Sequence, residues 1–445
     1  MNRVWRAAAG ACLLAAVICM PVHAAEPLSL AQAESTALSA NPALQAAKLD
    51  AVAAGKRTAE TFGRHFGELD VVGVYNHFER DRIVVPMAEE LFVVPALGMS
   101  QLPWDRNQVH YGLTWQVPLL AAGGLHEGDR IARLSRNASE HLALFTRDQI
   151  RYNVRAAYRN ALIVQHAMEA AQAYRAALEK DESDAQLKVK VGAWAPVDAA
   201  KVTYALRGAE AQVAEFAAQS ETAQATLAAL MGREPPAGGY DLEEVEGEPP
   251  APAASPDANT RAALSGRGDL LASRDATRIF EHKKHLALEA FSPQLVLQAT
   301  YLRNDAPSLR DPLDTREWTL MLKVPLFNGL SRVYAIQEAD ATLLAAKQRE
   351  RAKELEITTQ VADAQGRLEA AKALYQAGKA QRGLGREVAR VEHLKLEQGT
   401  GKMEDYLAAR GEELAGETAY WRGLYAYQSA VDYLAFVTAR GGDHE

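Results

Sequence analysis

Three groups of residues in this chain have types and spacings that could do chemistry. Glu281-His282-Lys283-Lys284-His285, with Glu289 downstream, puts two imidazoles three positions apart, so they can share one helix face. Lys283 and Lys284 oppose a cation there, so no metal is assigned; a helical metal-binding protein acting through His282 and His285 stands as one alternative. His126-Glu127 falls at a helix start, where a carboxylate complements the helix dipole. Asp198 and Asp405 also fall near helix starts. Singly, each reads as a dipole-matched aspartate. In a ring of subunits they would form circles of carboxylate where helices converge, selecting cations and resisting close approach. No Gly-rich phosphate loop and no nucleophile elbow is present. The chain does not read as an enzyme, and no cofactor is expected.

The elements that must place these aspartates are duplicated. The stretch VHYGLTWQVPLLAAGGL at 109–125 is answered by EWTLMLKVPLFNGL at 317–330. Each is a strand running through V-P-L towards a long helix. Val117 recurs as Val324, 207 positions on, and the same offset relates Gly192 to Gly399, Asp198 to Asp405 and Leu227 to Leu434. One offset held over more than a hundred residues is an internal duplication.

The first 24 residues read as a secretory signal: Arg3 and Arg6, an apolar run, then small residues up to Ala24. Cys12 and Cys19 both lie inside it, so the mature chain carries no thiol chemistry. Ile18 before Cys19 argues against lipidation. The net charge is −8, or −10 without Arg3 and Arg6, and no Lys/Arg block stands out, so nucleic acid is not an expected partner. No long uncharged apolar run follows the signal. A membrane crossing must therefore use strands.

Four stretches alternate with period 2, near 68–78, 108–117, 294–303 and 317–324. Leu69, Val71 and Tyr75 share one face of the first, and Val109, Tyr111, Leu113, Trp115 and Val117 one face of the second. Leu295, Leu297 and Tyr301 do so in the third, and Trp318, Leu320 and Leu322 in the fourth. Each approaches the length at which a tilted strand spans a bilayer, about 9–11 residues. Tyr111, Trp115, Tyr301 and Trp318 are the candidate lipid-facing aromatics; the other reading is a small soluble sheet. The first hairpin carries 19 more residues than the second, including LFVVPALGM, and is placed on the cell's outside.

Helical periodicity is strong. Ile150, Val154, Ala157, Ala161, Val164, Met168 and Ala171 follow a 4-3 spacing, repeated 207 positions on from Ile357 to Gly378. This is a coiled-coil seam rich in small residues. A helix from 127 to about 189 would be ~90 Å long at about 1.5 Å per residue. Near the N-terminus, Ser29 can cap a helix and Asn41-Pro42 should break it. The domain reading is a signal (1–24), a first repeat (25–232), a Pro/Gly/acidic linker (233–260), a second repeat (261–440) and a tail (441–445).

Four lipid-facing strands cannot close alone, because open edges in a bilayer leave backbone groups unpaired. Small closed barrels start at about 8 strands, so subunits must pool theirs. Two copies give 8 and three give 12.

The chain resembles the TolC-like outer-membrane efflux proteins over essentially its whole mature length. The resemblance rests on LSLAQAESTALSANPALQAAK near the N-terminus, the two V-P-L strand exits, and the VGAWAPVDAAK and QGTGKMEDYLAAR tips. It implies a mainly α chain with a small β part: duplicated helical hairpins forming an α-helical barrel in the periplasm, and four strands per chain in a trimeric 12-stranded outer-membrane barrel. It implies a homotrimer meeting outer-membrane lipid, a periplasmic adaptor and an inner-membrane transporter of RND or ABC type. Gly192, Ala193, Gly399 and Thr400 match the tips that meet the adaptor, and Asp198 and Asp405 match the periplasmic constriction. The chain departs from the family pattern at Gly401, where an arginine is common, at Ala408, where a further acid is absent, and at Leu396, which replaces an aromatic. The function implied is a passive exit duct of a tripartite pump or type I secretion system, gated at its periplasmic end. The alternative is a periplasmic coiled-coil scaffold without a pore, which would bury Trp115 and Trp318.

Overall fold

The computed structural model describes residues 25–84, 104–121, 123–245, 247–249 and 255–440. The signal, both cysteines, the LFVVPALGM segment and the tail lie outside them. Strand β1 (Glu26–Leu28) leads into helices α1 (Leu30–Ala40) and α2 (Pro42–Gly63), then β2 (Glu68–Ile83) and β3 (Trp104–Ala121). Helices α3 (Gly124–Lys190) and α4 (Pro196–Leu230) form the first long hairpin. After β4 (Tyr240–Leu242) come α5 (Pro256–Gly266), α6 (Gly268–Glu289), β5 (Gln294–Asp305) and β6 (Leu313–Lys323). Helices α7 (Ser331–Glu397) and α8 (Met403–Val437) form the second long hairpin.

The duplication is visible in these bounds. Helices α7 and α8 repeat α3 and α4 with the 207 offset at both ends of each helix. Helices α5 and α6 repeat α1 and α2 with an offset of 226, and the difference is the insertion in the first strand hairpin. Ser29 caps α1 in a capping box with Gln32, and the Asn41 side chain caps α2 with Pro42 in its first turn. The proline that ends one helix therefore starts the next.

The linker is more ordered than its composition predicts. Ser255 caps α5, which starts at Pro256, inside the stretch read as linker. Residues Tyr240–Leu242 pair in parallel with Glu26–Leu28. Tyr158 holds this pair to α3: its hydroxyl lies 2.6 Å from Leu28 O and 2.9 Å from Glu243 O, one O–H shared between two carbonyls. Gln428 of α8 donates to the Val245 and Gly247 carbonyls, each at 3.0 Å. Beside it, Arg155 bridges Glu34 and Asp432, and Arg159 pairs with Asp432. This belt joins the N-terminal strand, the linker, α1, α3 and α8 at one level.

The four long strands form an antiparallel sheet ordered β2-β3-β5-β6. The register aligns Leu69 with Trp115, Trp115 with Ala299, and Ala299 with Trp318. It also aligns Val71 with Leu113 and Leu113 with Tyr301. Directly opposed residues share a face, so all four apolar sets coincide on one side of the sheet. The other side carries Thr114 opposite Thr300 and Gln116 opposite Gln298. Trp115 is 39% exposed and Trp318 71% exposed. Both belong to one row across the sheet, and on β6 that row ends the apolar run, with Arg316 next on the same face; exposed Phe66 and Phe327 lie beyond them towards the helices. Strands β2, β3 and β6 also run past their apolar alternation. Pairing continues through polar residues such as Asn76 with Gln108, because backbone hydrogen bonds do not require apolar side chains.

Candidate functional site at the hairpin tips

The two tips are built alike. Helix α3 ends in a Schellman turn: Gly192 has φ +75, Ala193 N donates to Lys188 O at 2.8 Å and Gly192 N to Val189 O at 3.0 Å. Helix α7 ends the same way, with Gly399 at φ +73, Thr400 N to Lys395 O at 3.0 Å and Gly399 N to Leu396 O at 3.2 Å. Each glycine is required because a side chain in the left-handed region is strained. Pro196 then opens α4, and Asp198 and Asp405 lie in the first turns of α4 and α8.

The tips meet within one chain. Ala185 and Val202 of the first hairpin pack with Met403 and Tyr406 of the second, flanked by Trp194 and Leu396. The Tyr406 hydroxyl donates to Asp181 Oδ2 at 2.7 Å. Burial, and then the neighbouring Asp181 carboxylate, push the Tyr406 phenol above the ordinary tyrosine range. Lys201 of α4 reaches Glu404 of α8 at 2.9 Å and Asp198 at 3.6 Å. The hydrogen bond between them raises the Lys201 ammonium and lowers the Glu404 carboxyl. The two hairpins are thus tied by a part-buried phenol–carboxylate bond and by a bridge from half-buried Lys201 to exposed Glu404.

The two predicted aspartates differ in setting. Asp198 is half-buried and shares Lys201; Asp405 is exposed and has no ion-pair partner among the described residues. Gly192, Ala193, Gly399 and Thr400 are all exposed at the turns. Gly401 stands where the backbone folds against its own helix end: a Cβ there would lie 2.9 Å from Leu396 N and from Lys395 Cβ. The position cannot carry an arginine in this conformation. Its counterpart in the first tip, Trp194, lies against Lys188, with the ammonium 4.2 Å from the ring centroid.

Tyr406, Asp181, Lys201 and Glu404 were not among the residues singled out from the sequence. Lys201, three positions after Asp198, carried a helical-spacing signal; Asp181 and Tyr406 are 225 residues apart and carried none. The other candidate chemistry is accounted for by pairing. His282 Nδ1 lies 2.6 Å from Glu127 Oε2, joining α6 to α3. Among the described residues no cluster of three or more His, Cys, Asp or Glu side chains is placed to hold a metal ion, and no helix is long and apolar enough to cross a membrane.

No protein-family model matches the sequence, and no curated protein matches it. Solved structures do match. A membrane protein from Pseudomonas aeruginosa superposes with a TM-score of 0.78 at 18% identity, covering 92% of this chain and 93% of that one. The Campylobacter jejuni CmeC outer membrane channel superposes at 0.77 with 16% identity, covering 93% and 86%. This chain has the outer-membrane-channel fold. The Vibrio cholerae outer membrane protein VceC matches as well, at 0.74 and 16% identity over 94% and 97% of the two chains. The TolC-like resemblance read from the V-P-L exits and tips therefore holds for the fold, along nearly the whole length of the channel chains.

Proposed function

We propose that the protein is an outer-membrane exit duct: a homotrimer whose chains pool their strands in a 12-stranded barrel, with the helical hairpins continuing the passage through the periplasm. The single observation that carries this reading is the sheet. It exposes one continuous apolar face, backs it with a polar one, and leaves β2 and β6 as open edges. In lipid such edges must be paired. Strands β2 and β6 run in opposite directions, so the β6 of one copy can join the β2 of the next as an antiparallel pair. The helices repeat the pattern. Contacts order them α4–α3–α8–α7, which leaves α4 and α7 at the flanks. Helix α7 exposes Leu344, Leu355, Leu374 and Leu384. A neighbouring copy would cover them. The exposed Trp115 and Trp318 count against the scaffold alternative, which needs them in a core.

The passage is passive and needs no catalysis. Its gate is the tip cluster: Tyr406 on Asp181 and Lys201 on Glu404 hold the hairpins together, and Asp198 and Asp405 set the charge at the narrow end. Drive comes from an inner-membrane transporter of a tripartite pump or type I secretion system, through a periplasmic adaptor that meets Gly192, Ala193, Gly399 and Thr400. CmeC is an outer membrane channel of the same fold. Planar-bilayer recording of the purified protein tests the duct. Stepwise, cation-preferring conductance is expected; a protein that inserts without conducting contradicts the reading.

A further inference from the structure

The apolar face of the sheet changes character away from the helices. Its rows on β5 and β6 run Leu295 opposite Leu322, Leu297 opposite Leu320 and Ala299 opposite Trp318. Tyr301 opposite Arg316 and Arg303 opposite Asp314 follow. Tyr111 of β3 flanks Arg303 on its other side. Arg303 and Arg316 therefore stand on the apolar face where its apolar rows end. Both are exposed, and neither has an ion-pair partner among the described residues. The helices join the opposite end of the sheet, through Ala121 of β3 and Lys323 of β6.

Tyr301 keeps the two cations available. The Arg316 guanidinium lies 5.8 Å from its ring centroid, a contact that leaves the N–H donors unused. Its hydroxyl donates to Asp314 Oδ2 at 3.2 Å. The carboxylate directly opposite Arg303 is thus held by a tyrosine instead of by the arginine. Arg303 and Arg316 are diagonal neighbours across the strand pair, about 7–8 Å apart, within reach of one ligand for side chains of this length. A guanidinium is a planar fork that matches phosphate oxygens and is weakly hydrated, which suits the edge of a hydrocarbon layer. The acids come later on this face: Asp314 shares the Arg303 row, and Asp305, opposite Val109, lies one row further out. Going outward, apolar side chains give way first to a cation and last to a carboxylate. A lipid whose phosphates sit directly above its acyl chains would meet the arginines first.

We infer that Arg303 and Arg316 hold the phosphates of a glycolipid in the outer leaflet. This rests on reading the sheet as the barrel wall with the helices on the periplasmic side. Pairing of β6 with the next copy uses its backbone edge and leaves this face open to lipid. Native mass spectrometry of the full chain in detergent tests it, with lipid A, a glycolipid carrying two phosphates, as the probe. Arg303→Gln combined with Arg316→Gln should weaken lipid A binding by about tenfold or more, the effect of losing hydrogen bonds to a charged group. Lys323→Gln, on the polar face, should leave binding unchanged. Lysine at both arginine positions should give an intermediate loss, because it keeps the charge without the fork. Should the double Gln variant fail to fold, removing both phosphates from lipid A should weaken its binding to the unaltered chain by the same factor. Equal binding with and without the arginines, or with and without the phosphates, would overturn the inference. So would equally tight binding of phosphatidylglycerol, which would make the ligand a phospholipid. The readout needs no pore: a chain that holds phosphorylated lipid but never conducts would sink the duct alone, and a conducting chain whose binding ignores both arginines would sink the lipid site alone.

Discussion

The hydroxyl of Tyr406, on the second hairpin, donates to the carboxylate of Asp181, on the first, at 2.7 Å. This contact and the Lys201 bridge join the two hairpins at the tip, in a chain that has glycine at 401 and alanine at 408, and in the proposed gate they hold it closed. Hydrogen bonds to charged groups contribute about 1.5–3 kcal/mol. Tyr406→Phe should therefore raise open probability by about tenfold or more, read as open time in planar bilayers. An unchanged open time would remove the pair from the gate.

Asp405 and Asp198 should differ in effect. Asp405 is exposed and unpaired among the described residues, whereas Asp198 shares Lys201. Asp405→Asn should weaken block by divalent cations more than Asp198→Asn does, measured as the blocking concentration at fixed voltage. Equal weakening would show that Lys201 does not screen Asp198.

The legibility of this chain followed the range of each signal. Strand faces were readable because alternation is local: Leu69, Val71, Trp115 and Trp318 all fall on the face their spacing predicted. The long helices were readable because a seam such as Ile357, Val361 and Ala364 repeats within one element, and all three are buried. Contacts between distant residues left no local trace. The β1–β4 pair was missed because three residues are too few to show alternation, and Tyr240–Leu242 sits in a segment whose prolines and acids dominate its composition. Asp181 was missed because its partner comes from the other repeat. Gly401 read only as a departure from the family pattern, and the structure gives it a backbone reason.

Tyr158 gives the belt a pH dependence. Burial pushes its phenol up to about 12. A raised phenol pKa means the protonated donor is favoured in the folded chain. Its contribution is fully present below the ordinary tyrosine value of about 10 and is lost as pH rises through about 12. Protease sensitivity of the linker near Glu243 should rise over that window. Tyr158→Phe should show the same sensitivity at neutral pH, with a loss of about 1–3 kcal/mol from the Glu243 carbonyl left without the Tyr158 donor, while Leu28 O keeps the Glu243 N–H. A linker equally resistant in both proteins would contradict this.

The outward face can be tested one residue at a time. Trp318→Lys places a charge on the apolar face, where lysine near the bilayer midplane costs about 2–4 kcal/mol. Thr319→Lys places the same charge on the polar face. The first should reduce the yield of folded protein in outer membranes and the second should not; equal yields would mean the apolar face does not meet lipid.

The shared barrel is the central claim, and the native mass of the protein extracted in detergent from fractionated envelopes tests it most directly. A species of three chains in the outer-membrane fraction is the predicted result. A single chain released with the periplasm would contradict the barrel and the duct together.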